Sequence, residues 1–118
     1  YNIIAEAYLE AYRQAQHDNS LIDNIDKIML DPLEGLRLIE TLISKSTSDA
    51  ELAYISAGPL EDLFIQHYEV LYDPLDKLLR TDTKMRKALS GIWVRENTQA
   101  REALDKLLDK YHLKYGSL

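Results

Sequence analysis

Apolar residues recur every three or four positions from one end of this chain to the other, and nowhere do they alternate with polar ones over the length of a strand. That period belongs to the α-helix, whose residues i, i+3, i+4 and i+7 share one stripe, whereas a half-buried strand needs a period of two. Ile4, Ala7, Tyr8, Ala11, Tyr12 and Ala15 make the first stripe. Leu21, Ile22, Ile25, Ile28 and Met29 make the second, and Ala100, Ala103, Leu104, Leu107, Leu108 and Tyr111 the last. The 118 residues contain four glycines and three prolines, and 46% are hydrophobic, so few breakers interrupt the helices and one core can be filled. The pattern predicts a single all-α domain spanning 1–118, built from seven to eight short helices.

Capping chemistry sets the expected boundaries. The first helix runs over 2–16 and is interrupted by "HDNS" at 17–20. Asp31-Pro32-Leu33-Glu34 reads as a helix start, with Asp31 as cap and Pro32 where its missing N–H costs nothing. Ser48 followed by Glu51 is a capping box. Gly58 is expected to leave that helix in a left-handed conformation, with Pro59 opening the next and Glu61 and Asp62 favoured in its first turn. Leu60, Leu63, Phe64, Tyr68 and Leu71 form its buried stripe. Pro74 is expected to end it near Asp73 and to start another helix carrying Leu75, Leu78 and Leu79. Segment 83–94 should bury Met85, Ala88, Leu89, Ile92 and Trp93, and Asn97 or Thr98 caps the last helix, which ends by Gly116. The Asp-Pro-Leu-acid starts at Pro32 and Pro74 lie 42 residues apart, near the period of HEAT repeats, which points to a compact, HEAT-like orthogonal bundle.

Several function classes drop out. Without cysteine there are no disulfides, no thiol catalysis and no cysteine metal sites. A reducing cytoplasm is the default compartment, although a cysteine-free periplasmic chain would look the same. No apolar run approaches the roughly 20 residues that span a bilayer. The chain opens at Tyr1, not methionine, as expected of a trimmed product, a cleaved signal peptide included, or of a piece of a longer protein. Net charge is −6, all of it in residues 1–60, where ten acids face four bases. An acidic surface repels nucleic acid and attracts a basic protein partner. Lys77, Arg80, Lys84, Arg86 and Lys87, set against Asp76 and Asp82, read as a solvated helix face.

Little in the chain looks like catalysis. Glu61, Asp62 and His67 form a candidate pocket, yet on one helix His67 stands about 140° from Asp62 and about 120° from Glu61. His112 has Asp109 three residues before it, and one such pair does not make a metal site; His17, beside Asp18, reads as the end of helix one. Ser90, before Gly91, lacks an identifiable base. We expect no catalytic residues, no metal and no cofactor.

Tyrosine says more. Eight are present, and six fall in i, i+4 pairs: Tyr8/Tyr12, Tyr68/Tyr72 and Tyr111/Tyr115. Tyrosine combines large contact area with a polar tip and is enriched at interfaces, although a pair at the core boundary with wet hydroxyls is the plainer account.

"DPLEGLRLIETLI" (31–43), "AGPLEDLFIQH" (57–67) and "MRKALSGIW" (85–93) together resemble an uncharacterised bacterial family of unknown function. Its pattern has Gly-Pro-Leu-Glu-Asp-Leu followed by His, then Ala-Leu-x-Gly-aliphatic-Trp. The likeness covers about residues 30–94, and Tyr68 departs from it, since a glycine usually follows the histidine. It implies a compact helical fold and gives weight to Gly58, Pro59, Glu61, Asp62, His67 and Trp93, but it brings no activity.

The expected function is therefore a small acidic protein-interaction module of immunity or antitoxin type. Asp18, Asp23 and Asp26, with Glu6 and Glu10, would steer a basic partner, and Tyr8 and Tyr12 would anchor it. The alternatives are an enzyme or ligand-binding domain using the Glu61/Asp62/His67 pocket with Trp93 nearby, or a helical scaffold segment of a longer protein.

Overall fold

A computed structural model describes all 118 residues. The chain is entirely helical: α1 (Asn2–Arg13), α2 (Asn19–Met29), α3 (Pro32–Lys45), α4 (Asp49–Ile55), a π turn (Ser56–Leu60), α5 (Glu61–Leu79), α6 (Thr83–Leu89) and α7 (Gln99–Lys110). α4, the π turn and α5 follow one another with kinks but no intervening loop, so the chain makes 6 helical runs where seven to eight separate helices were expected.

Short polar side chains start most of these helices. Asp18 accepts from the Leu21 N–H, Asp31 from Leu33 and Glu34, Ser48 from Glu51, Asp82 from Met85 and Thr98 from Arg101. Each satisfies an N–H that the helix cannot, typically for about 1 kcal/mol. The reciprocal arm of the Ser48/Glu51 box is displaced by one residue: the Glu51 carboxylate accepts from the Thr47 N–H at 3.0 Å.

One expected break differs in kind and another is displaced. Gly58 is not left-handed; at φ −108° and ψ −105° it is a non-helical kink inside the π turn, and Pro59 follows it directly. Pro74 lies inside α5, and the backbone leaves helical values earlier, at His67 (φ −132°, ψ 20°). A proline costs a helix one hydrogen bond and a clash, which burial on both flanks can outweigh: Leu71, Leu75 and Leu79 are all essentially inaccessible. Pro32 therefore starts a helix and Pro74 does not, so the two Asp-Pro-Leu stretches are not equivalent units.

α3 lies at the centre, packed against α1, α2, α4, α5 and α6, while α7 closes the far side of α5. Leu38, Ile39, Leu42 and Ile43 of α3 meet Phe64, Leu60 and Leu63 in a continuous core of 26 buried residues. The α1 stripe is rotated from the expected one. Ala5 and Leu9 are its buried residues, whereas Ala7 and Ala15 are exposed. Trp93 also departs from expectation: α6 ends at Leu89, and the indole lies in the following loop, 63% exposed.

Candidate functional site

The expected Glu61/Asp62/His67 pocket does not converge. Glu61 Oε1 accepts from the Trp93 backbone N–H at 2.6 Å and so pins the α6–α7 loop. The His67 Nε2 bonds the Met29 carbonyl at 3.2 Å, holding the bent helix to the C-terminus of α2. A carbonyl can only accept, so Nε2 carries the proton there. Asp62 points elsewhere again, into a cleft between α2 and α5. Trp93 stands edge-on to Tyr115, centroids 5.5 Å apart, while the Arg101 guanidinium covers Tyr115 at 3.6 Å.

The other candidate residues mostly have local partners. His17 bonds Asn19 at 2.6 Å, and the Ser90 hydroxyl donates to the Lys87 carbonyl at 2.7 Å. Lys84 donates to the Ile43 and Ser46 carbonyls, Arg86 to those of Leu79 and Arg80, and Lys87 to Asp49. Lys84, Arg86 and Lys87 thus tie α6 to the end of α3, the end of α5 and the start of α4. Glu6 pairs with Lys45 at 2.9 Å, Glu10 accepts from Gln14 at 2.6 Å, and Asp18 is spent on its cap. No three His, Asp or Glu side chains gather in a way that could hold a metal.

Tyr8 and Tyr12 do come together, with Tyr54, and Asp26 and Asp62 share one cleft whose Asp62 lies near enough to Tyr8 for its charge to be felt there. The Tyr54 ring stacks on both Tyr12 and Tyr8, with centroids 4.3 and 5.3 Å away, making a three-ring ladder across α1 and α4. Tyr54 is 41% exposed and Tyr8 half-buried. Burial, with the Tyr54 hydroxyl second, pushes the Tyr8 phenol well above its ordinary range. Its oxygen lies 3.4 Å from where a Cβ on Gly58 would be, so a side chain at that position would press on the ring's tip. Beyond Tyr8 lies Asp62. Partial burial and then the negative charge of Asp26 raise its carboxyl above the usual range. Neither carboxylate has a cation within pairing distance. Asp23 is exposed on the same helix as Asp26.

Tyr54 is the member that sequence reasoning missed, because it has no i, i+4 tyrosine partner. The one available signal was a large aromatic on the short helix that the Ser48 cap starts. Of the other five tyrosines four have hydrogen-bond partners: Tyr1 donates to Glu34 at 2.7 Å, Tyr68 to Gln99 at 2.9 Å and Tyr111 to Asp76, and Tyr115 accepts from the Val94 N–H at 2.9 Å.

Larger concavities exist. A groove of about 810 Å³ between α1 and α2 is lined by Ile3, Ile4, Ala7, Leu21 and Ile28, with Lys27 as its one charged side chain. It offers apolar area but little to orient a ligand. The cleft between α2 and α5 is smaller, about 360 Å³, and combines Ile25, Met29, Pro59 and Leu63 with the Asp26 and Asp62 carboxylates. Recognition needs both kinds of group, so this cleft and the adjoining tyrosines are the better candidate.

These features define an all-helical domain whose most distinctive surface is aromatic and acidic. A family model described as "Family of unknown function (DUF6869)" matches residues 9–106, and the chain belongs to that family. No curated protein and no solved structure matches it.

Proposed function

We propose that this domain is a small acidic protein-interaction module that binds a basic partner protein, as an inhibitor of immunity or antitoxin type. One observation carries the reading: a Tyr12–Tyr54–Tyr8 ladder whose Tyr8 feels the charge of Asp62, which shares a cleft with Asp26, neither aspartate having a cation of its own. Stacked tyrosines give rigid contact area with little entropy left to lose. Two unpaired carboxylates beside them gain most from an arriving positive charge, and Asp23 adds to the field that guides it. The mechanism is occlusion, with charge setting the rate of encounter and the ladder the residence time. The absence of cysteine suits a cytoplasmic setting.

The test is capture by the immobilised domain from a lysate of the source organism, at low and high salt, for wild type and Tyr54→Ala. We expect a stoichiometric basic protein, weakened by salt and by the substitution. Retention of the same proteins by both forms, insensitive to salt, would remove the reading.

A further inference from the structure

We propose that the cleft between α2 and α5 is the receptacle for one arginine side chain of the basic partner, an inference that rests on the protein-binding reading above. Its volume, about 360 Å³, is at the small end of the range for ligand sites and suits a side chain more than a cofactor. Ile25, Met29 and Leu63 form an apolar floor, where the methylenes of a long cationic residue can lie. Asp26 from α2 and Asp62 from α5 both line it, so a charged head entering the cleft meets carboxylates supplied by two different helices.

No cation of this chain fills that role. Lys27 follows Asp26 directly but lines the α1–α2 groove instead. Both aspartates are exposed at the cleft, and the negative charge of Asp26 acting on Asp62 meets no cation of this chain. An incoming cation relieves that repulsion, which supplies the charge complementarity that selects this occupant. Guanidinium fits better than ammonium. It is more weakly hydrated, so an apolar floor costs it less, and its five N–H donors in a rigid fork can serve two separated carboxylates. An ammonium on the same floor keeps its hydration or loses it uncompensated.

The direct probe is a capped Gly-Arg-Gly tripeptide titrated into the isotopically labelled domain at low salt, beside Gly-Lys-Gly, Gly-Gln-Gly and calcium alone. The expected result is amide shifts concentrated at Asp26, Leu30, Asp62 and Gln66, with the Asp62 carboxyl titrating at lower pH when the arginine peptide is present. Binding should be roughly tenfold weaker for the lysine peptide, the worth of about one charge-assisted hydrogen bond, and absent for the glutamine peptide. It should disappear in Asp26→Asn/Asp62→Asn and survive in Tyr54→Ala. Equal binding of the lysine peptide or of calcium overturns the arginine assignment. Shifts confined to other surfaces, or no binding, overturn the receptacle itself. Capture of a basic partner that persists in Asp26→Asn/Asp62→Asn would sink the receptacle while leaving the protein-binding reading intact.

Discussion

The guanidinium of Arg13, at the end of α1, donates two hydrogen bonds to the carboxylate of Glu51 in α4, at 2.9 and 3.0 Å. Glu51 is buried and also accepts from the Thr47 N–H. Tyr12 immediately precedes Arg13, and Tyr54 stands one turn after Glu51, so this brace fixes the two helices at the spacing that lets the rings stack.

The brace makes a pH prediction. Arg13 and the Thr47 N–H hold the Glu51 carboxyl down at about 2, from an ordinary 4.5. An acid whose folded-state pKa is depressed stabilises the fold fully above its ordinary value and loses that contribution as pH falls toward the folded one. Glu51→Gln should therefore cost roughly 1–3 kcal/mol near neutrality, the usual penalty for unmaking a buried bond to a charged group. The gap between variant and wild type should close between pH 4.5 and 2. Denaturation midpoints across that range check it, and a gap independent of pH would contradict it.

Asp62 predicts the opposite sign. Its folded-state pKa is raised above the ordinary 3.8, so its penalty is absent in acid and builds as pH rises. Asp62→Asn should stabilise the domain by about 0.2–0.5 kcal/mol at neutral pH, the scale of a surface like-charge pair. At about pH 3 the gain should vanish. Thermal melts at the two pH values decide it.

Gly35 in α3 leaves no room for a methyl group. A Cβ there would stand 2.7 Å from Leu63 Cδ1 and 3.3 Å from the Met29 sulfur, and Leu63 is fully buried. Alanine normally favours a helix over glycine by about 1 kcal/mol, but overpacking of this kind costs about 1–3 kcal/mol. Gly35→Ala should be destabilising on balance, by urea denaturation. Since Leu63 and Met29 floor the α2–α5 cleft, the same substitution should also weaken Gly-Arg-Gly binding.

His67→Ala removes the one bond from α5 to the Met29 carbonyl. It should lower stability by about 0.5–1.5 kcal/mol and leave partner capture unchanged. Loss of capture at unchanged stability would restore His67 to a binding role.

Helix periodicity and most starts were legible in the sequence, because a capping Asp, Ser or Thr acts within three residues of itself. The shared face of Tyr8 and Tyr12 was legible for the same reason. What escaped was decided by packing. The rotation of α1 toward Ala5 and Leu9 depends on how it meets α3, and the passage of α5 through Pro74 depends on the burial of its flanks. Trp93 sits in a loop because Glu61, 32 residues away, holds its N–H. The approach of Asp26 to Asp62 and of Tyr54 to Tyr8 joins helices far apart in the chain, which no local spacing encodes.

Whether the aromatic and acidic face binds a basic protein can be read directly, with the partner still unidentified, by panning a random displayed-peptide library. The library is passed over the wild-type domain and over Asp26→Asn/Asp62→Asn in parallel. Arginine-bearing, net-positive peptides should be enriched on wild type, and that enrichment should be lost on the variant. Enrichment of neutral or acidic peptides would show that the face does not select a basic partner, and enrichment of the same basic peptides on both proteins would show that the aspartate pair is not what selects it.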